Sequence, residues 1–275
     1  MVSQKIGVIG CGSIGKILSE AVISGKAGDS ELKSLFDVDR EKAEKLKDDL
    51  NGNPRVNTNF DQFLDDDLDI VVEAASQKAV KEYSEKILKS GKDLIVLSSG
   101  AFSDEGFLEK VENTARKLGK NVYVPSGAIL GLDGVHAANI AGLEKAIVKT
   151  RKPPETLEKT KYARKRGLDL SELEKPKQIF EGSANEAVDA FPGSVNVAAS
   201  LSLAGRGMDK TKVQIVADPS LSQNKHKVEV EGEAGSFTAE AVNFPSPKNP
   251  KTSYLAALSA IQMLKKLKEP IKIGT

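Results

Sequence analysis

The sequence predicts an α/β protein, with a doubly wound parallel sheet in its N-terminal part and a second α+β domain of mixed or antiparallel sheet. Three observations carry that prediction. β-Branched runs alternate with helix-patterned segments through the first half of the chain, a glycine-rich turn joins the first run to the first helix, and beyond Asp133 strand-like runs follow one another with few helices between them.

Residues 5–10 form a short β-branched run, after which Ile14, Ile17, Leu18 and Val22 recur at helical spacing. A strand over 32–37 then precedes a charged helix over 40–50, and a strand over 68–73 precedes a helix over 78–89 closed by Gly91. Strands over 94–97 and 122–124, separated by a helix over 104–118, complete the series. Such alternation implies right-handed crossovers and a parallel sheet with helices on both faces. Later strands are expected over 146–150, 178–180, 213–216, 227–231 and 236–242. The last two read as a hairpin, because Gly232 and Gly235 permit the positive φ of a tight turn. Pro245, Pro247 and Pro250 mark a loop, and Thr252 is expected to cap a final helix. Its apolar stripe of Leu255, Leu258, Ile261 and Leu264 should return to the first domain.

A chain of 275 residues is long enough for two domains. Its 40 Lys and Arg residues nearly balance 39 Asp and Glu, and the charges are interspersed, which argues against nucleic-acid and membrane-surface partners and for a small-molecule substrate. No apolar run approaches the ~20 residues of a spanning helix. With one cysteine, Cys11, and no signal-peptide pattern, the sequence suits a reducing cytoplasm. The acidic run 65–67 and the basic stretch 159–166 are expected to be solvated faces.

Gly10-Cys11-Gly12-Ser13-Ile14-Gly15 carries the chemistry. It follows the first strand and opens the first helix. Gly10 permits the turn, Gly12 lets the backbone approach a pyrophosphate, Gly15 allows close helix–strand packing, and the helix start with Ser13 and Ile14 faces the phosphates. Asp37, at the tip of the second strand and 22 positions past Gly15, is placed to accept from ribose hydroxyls, favouring NAD, while Arg40 could relax discrimination against the 2′-phosphate of NADP. This is a Rossmann fingerprint. Strand ends of such sheets line the cofactor trough, which nominates Ala74 and Ala75 after one strand, Ser98 and Ser99 after the next, and Ala128 after the last. Cys11 would face the pyrophosphate rather than a substrate carbonyl, so thioester chemistry is set aside. His136 and His226 are the candidate acid–base residues, with His226, beside a strand and after polar Gln223 and Asn224, the stronger. No cluster of ligating residues predicts a metal site.

These segments together resemble the L-aspartate dehydrogenase family over nearly the whole chain. The resemblance is carried by residues 10–15, 73–76 and 98–102, by Pro125 to Ile129 with Gly131 and Asp133, and by Thr150-Arg151-Lys152-Pro153-Pro154. Phe191-Pro192, Asn196-Val197-Ala198-Ala199, His226 and Asn249-Pro250-Lys251-Thr252-Ser253 extend it. It implies oxidation of L-aspartate to iminoaspartate with NAD or NADP, the imine hydrolysing to oxaloacetate and ammonia or feeding NAD biosynthesis. By position, His226 matches the family's active-site histidine, and Ala128 and Asn196 its contacts near the nicotinamide. Charge complementarity nominates Ser99, Lys251 and Thr252 as anchors for substrate carboxylates. The expected organisation is a dinucleotide-binding domain over 1–132 plus 253–275 and a substrate domain over 133–252, which also pairs two copies as a homodimer. The competing readings are homoserine-dehydrogenase-like alcohol oxidation and a non-catalytic dinucleotide sensor.

Overall fold

The computed structural model describes residues 3–191, 195–246 and 249–274. Its first half runs β1 (Gln4–Ile9), α1 (Ser13–Ile23), β2 (Ser30–Phe36), α2 (Arg40–Asp49), β3 (Arg55–Asn57), α3 (Phe60–Asp65), β4 (Ile70–Glu73), α4 (Gln77–Lys89), β5 (Asp93–Val96), a 3₁₀ turn (Ser99–Ser103), α5 (Glu105–Leu118) and β6 (Val122–Tyr123). The strands lie in the order β3-β2-β1-β4-β5-β6, and every pair is parallel. This is the Rossmann order, with the chain reversing direction across the sheet between β1 and β4. Central β4 is buried along its whole length, which is why it reads as an unbroken apolar run rather than an alternation.

Two short elements, β3 and α3, went unpredicted. Neither is long enough to show a period, yet α3 is well specified: Asn59 caps it by accepting from the Asp61 and Gln62 N–H groups, and its Phe60 ring stacks on Tyr83 at 3.9 Å. The acidic run is not wholly solvated either. Asp66 is buried, pairs with Arg55 and accepts from Asn57 Nδ2 at 2.9 Å, so only its neighbours behave as surface charge.

The second half consists of α6 (Leu132–Ala141), β7 (Leu143–Lys152), α7 (Pro154–Glu158), α8 (Lys161–Lys165), β8 (Lys177–Ser183), α9 (Ala184–Ala190), α10 (Val195–Ala204), β9 (Lys212–Ala217), β10 (Asn224–Gly232), β11 (Gly235–Asn243), β12 (Pro245–Ser246), β13 (Asn249–Ser253) and α11 (Tyr254–Lys268). Its five-stranded sheet has the order β11-β10-β7-β9-β8, in which only β7 and β9 are parallel. Alternation fixes its inner face: on β10, Val228 and Val230 are buried in phase with His226, and on β7, Ala146 and Val148 are buried in phase with Thr150. The apolar columns thus turn polar at one end of the sheet. Val148, Val228 and Val230 share a core with Leu201 of the largely buried α10.

The chain divides into two compact units, one built from Met1–Pro125 and Ala256–Ile273, the other from Ser126–Leu255. Two expectations about the C-terminal segment need correction. β12 and β13 pair as an antiparallel ribbon where prolines suggested a loop, and Thr252 belongs to β13, so the helix begins at Tyr254 rather than at a Thr252 cap. The stripe also shifts. Ala257, Ala260, Ile261 and Leu264 are buried while Leu258 is 38% exposed, because small alanines let α11 pack closely and leave the larger Leu258 outside. Leu264→Ala should therefore cost about 2–5 kcal/mol, whereas Leu258→Ala should stay within about 0.5 kcal/mol of the parent, as measured by urea unfolding.

Candidate active site

The glycine loop is built around two contacts that a side chain would destroy. Gly10 has φ +96°, and a Cβ there would lie 2.8 Å from the carbonyl oxygen of Ala74 and 2.9 Å from Cα of Ala75. A Cβ on Gly15 would stand only 1.8 Å from the Gly10 carbonyl oxygen. Gly12 is different: it is exposed, and a Cβ there would meet nothing within 4 Å. The loop thus keeps one face open above the start of α1, whose N-cap is Gly12 and which has no capping side chain. A helix start bare of a cap, under a loop whose open side a Cβ would fill, fits a pyrophosphate.

Asp37 braces this loop from β2. One of its oxygens accepts from the Cys11 N–H at 2.8 Å and the other from the Asp39 N–H at 2.9 Å, while the Gly10 N–H donates to the Phe36 carbonyl at 2.8 Å. A carboxylate retains lone pairs beyond these two bonds, so bracing and acceptance from a ribose hydroxyl are compatible. Cys11 is buried, and its thiol is pushed up to about 12, first by burial and then by the charge of Asp37. It has no thiolate to offer at neutral pH.

Glu73 ties the neighbouring strand ends together. Its carboxylate is 1% exposed and accepts from the N–H groups of Ala75 and Ser76 at 2.8 Å, the Ser98 N–H at 3.0 Å and the Ser98 hydroxyl at 2.9 Å. Burial raises its pKa, opposed by these donors. Ala74 and Ala75 lie beside Gly10, Ser98 is tied to the same carboxylate, and Ser99 is buried where the 3₁₀ turn begins. Sequence reasoning had Glu73 only within the 73–76 segment that carries the resemblance, without a role of its own. What marks it is a carboxylate at the buried end of an apolar strand, a position tolerated only when its oxygens are satisfied.

In the second unit, His226 is 6% exposed and its Nδ1 lies 2.9 Å from Thr150 Oγ1, directly across the β7–β10 ladder. When Nδ1–H donates to that hydroxyl, the lone pair sits at Nε2. Burial, and then the charge of Lys152, lower the imidazole to about 3, so the ring is neutral at physiological pH. Asn243, also buried, donates to the Ala128 carbonyl at 3.0 Å and accepts from the Ser253 hydroxyl at 2.7 Å, fixing the segment that carries Ala128. Sequence reasoning passed over Asn243 and quoted Thr150 and Lys152 without a role. Their signal is polar residues in the buried phase of strands. Asn196 is the exposed member of α10, between buried Val195 and Val197. His136 is exposed on α6. The side chains of Lys251 and Thr252, and all of Pro192, lie outside the described residues.

Gly15→Ala should destabilise the fold by about 1–3 kcal/mol or more, whereas Gly12→Ala should leave the melting temperature unchanged and weaken dinucleotide binding, checked by calorimetry and fluorescence titration. His226 gives a pH signature with a definite sign. Its folded pKa lies below the unfolded value, so the unfolded chain binds the extra proton between about 6.5 and 3 and stability falls as pH falls through that window. The stability difference between the parent and His226→Gln should shift against the parent by about 1.4 kcal/mol per pH unit between pH 6 and 4, measured by urea unfolding.

Residues 133–267 match the family model described as aspartate dehydrogenase, C-terminal, and residues 10–125 match that described as homoserine dehydrogenase, NAD binding domain. The L-aspartate dehydrogenase of Methanosarcina mazei is 46% identical over 271 residues, covering 98% of this chain and 99% of that protein. That of Methanococcoides burtonii is 45% identical over 272 residues, again covering 98% and 99%. The crystal structure of aspartate dehydrogenase from Thermotoga maritima superposes with a TM-score of 0.79 at 31% identity, over 98% of this chain and 99% of that one. With relatives this similar along its whole length and a neighbour that superposes over nearly all of both chains, the chain belongs to the L-aspartate dehydrogenase family.

Proposed function

We propose that this protein oxidises L-aspartate to iminoaspartate with NAD or NADP, the imine then hydrolysing to oxaloacetate and ammonia or serving as a precursor for NAD biosynthesis. The observation that carries the reading is a neutral, buried histidine set into a strand column of a unit matched by the aspartate dehydrogenase model, on a chain whose other unit holds the dinucleotide fingerprint. The bound dinucleotide supplies the hydride acceptor.

The protein's own residues supply the rest. The N–H groups at the start of α1 hold the pyrophosphate, with Gly10, Gly12, Ser13, Ile14 and Gly15 shaping the loop and Asp37 receiving the adenosine ribose. Ala74, Ala75 and Ser98 offer a wall of small groups to the dinucleotide, and the family resemblance assigns Ala128 and Asn196 to contacts near the nicotinamide. His226 takes a proton at Nε2 from the substrate ammonium or from the water that attacks the imine, while Thr150 holds the ring in that tautomer. An imidazole this depressed is a weak base until negative charge enters its surroundings, and a dicarboxylate substrate brings that charge with it. Ser99, Lys251 and Thr252 are assigned to the carboxylates. The Rossmann unit serves the cofactor, and the unit bearing His226 serves the substrate and pairs two copies as a homodimer. The interspersed charge supports a small-molecule substrate and the single cysteine a reducing cytoplasm, and among the described residues no helix is long and apolar enough to cross a membrane.

The homoserine reading draws on the model that matches residues 10–125, and that model describes only an NAD-binding domain; the aspartate description covers the unit where substrate chemistry resides. The test is direct. Protein mixed with NAD⁺ and L-aspartate at alkaline pH should reduce the dinucleotide, with no comparable rate on homoserine; turnover of homoserine alone, or none at all despite dinucleotide binding, overturns the proposal. His226→Ala should retain dinucleotide affinity and lose about 10²- to 10⁴-fold in kcat, and an unchanged kcat would remove the histidine from the chemistry.

A further inference from the structure

The polar end of the five-stranded sheet opens into a pocket of 270 Å³, lined by Lys152, Thr156, Asn224, Asn243 and Ser253 with Glu155 at its exposed edge. That volume is slightly below the ~300–1,000 Å³ typical of drug-sized ligands and suits something the size of an amino acid. Among the described residues that line the pocket, Lys152 is the one cation. It stands on β7 in phase with Ala146, Val148 and Thr150, a column otherwise given to the core.

Lys152 is half-buried, and an ammonium partly withdrawn from water favours an anion beside it. Among the described residues Lys152 has no ion pair. Burial lowers its pKa, and no carboxylate acts in the opposite sense. The neighbouring acid is already committed: Asp218, whose N–H donates to the Lys152 carbonyl at 2.9 Å, pairs with Arg151. Apart from Glu155 at its exposed edge, the described lining of the pocket offers neutral hydrogen-bonding groups, including the buried amide of Asn243 and the hydroxyl of Ser253.

We propose that this pocket binds a carboxylate of the substrate, with Lys152 as its counterion. The assignment rests on the aspartate dehydrogenase reading and deepens it, because it gives one of the two carboxylates a protein partner that the sequence did not nominate. It also gives the lysine a second effect. Its charge is one of the two causes that depress His226, so an arriving carboxylate cancels that repulsion and returns basicity to the imidazole when substrate is present.

Succinate, a dicarboxylate without the reacting amine, is the probe. Calorimetry should show it binding the unmodified protein, and Lys152→Met and Lys152→Gln should weaken it by about 10- to 100-fold, with the KM for L-aspartate rising in parallel and dinucleotide affinity unchanged. Should those variants fail to fold, reductive methylation of the unmodified protein, read by mass spectrometry, supplies the answer: saturating succinate should protect Lys152. Equal succinate affinity in folded variants, or methylation of Lys152 at the same rate with and without succinate, overturns the pocket assignment. Failure of the unmodified protein to oxidise aspartate would strike the underlying reading instead, so the two are separable.

Discussion

In the dinucleotide unit α1 approaches the strand it follows so tightly that Gly15 lies over the carbonyl of Gly10 with no space for a methyl group. Much else follows from that contact. It sets the direction in which the helix leaves the sheet, and so where its uncapped N–H groups point. It also brings Gly10 against the Ala74–Ala75 backbone, so that β1 and β4 end at a common level at the switch point of the sheet. Two acids maintain the arrangement from either side, half-buried Asp37 through the Cys11 N–H and buried Glu73 through the strand ends carrying Ala75 and Ser98. Bracing of this kind orders the loop before any ligand arrives, which removes part of the entropic cost of binding.

The second unit solves a different problem. A sheet with one buried face normally fills that face with apolar side chains, and here it does so up to Val148 and Val228 before changing to buried Thr150, His226 and Asn243 and half-buried Lys152. Each substitution of a polar group into a core register carries a desolvation cost, met for His226 by Thr150 and for Asn243 by Ala128 and Ser253. Polar groups concentrated at one end of an otherwise apolar column are what a small-molecule site demands: dry walls, with a few donors and acceptors set in them.

Legibility followed period. Long amphipathic helices such as α4 and α5, buried β4 and the glycine loop could be read directly, because each imposes a pattern over many residues or a fixed spacing. β3 and α3 are too short to display one and are fixed by tertiary aromatic contacts instead. The stripe of α11 was misplaced because large leucines attract the eye, while close packing is made by Ala257 and Ala260. At the site, His226 stood out by scarcity and resemblance. Lys152 and Asn243 did not, since lysine and asparagine are common and only their strand phase shows that one is half-buried and the other buried. Glu73 was visible as a residue, but its four hydrogen bonds depend on two strands meeting in space.

Cys11 carries a practical consequence. The chain's one sulfhydryl sits in the nucleotide loop, shielded and held protonated, so ordinary alkylating reagents and mild oxidants find little thiolate to attack. The protein is thereby suited to handling without reductants, and a cysteine placed elsewhere on its surface would accept a label against a silent background.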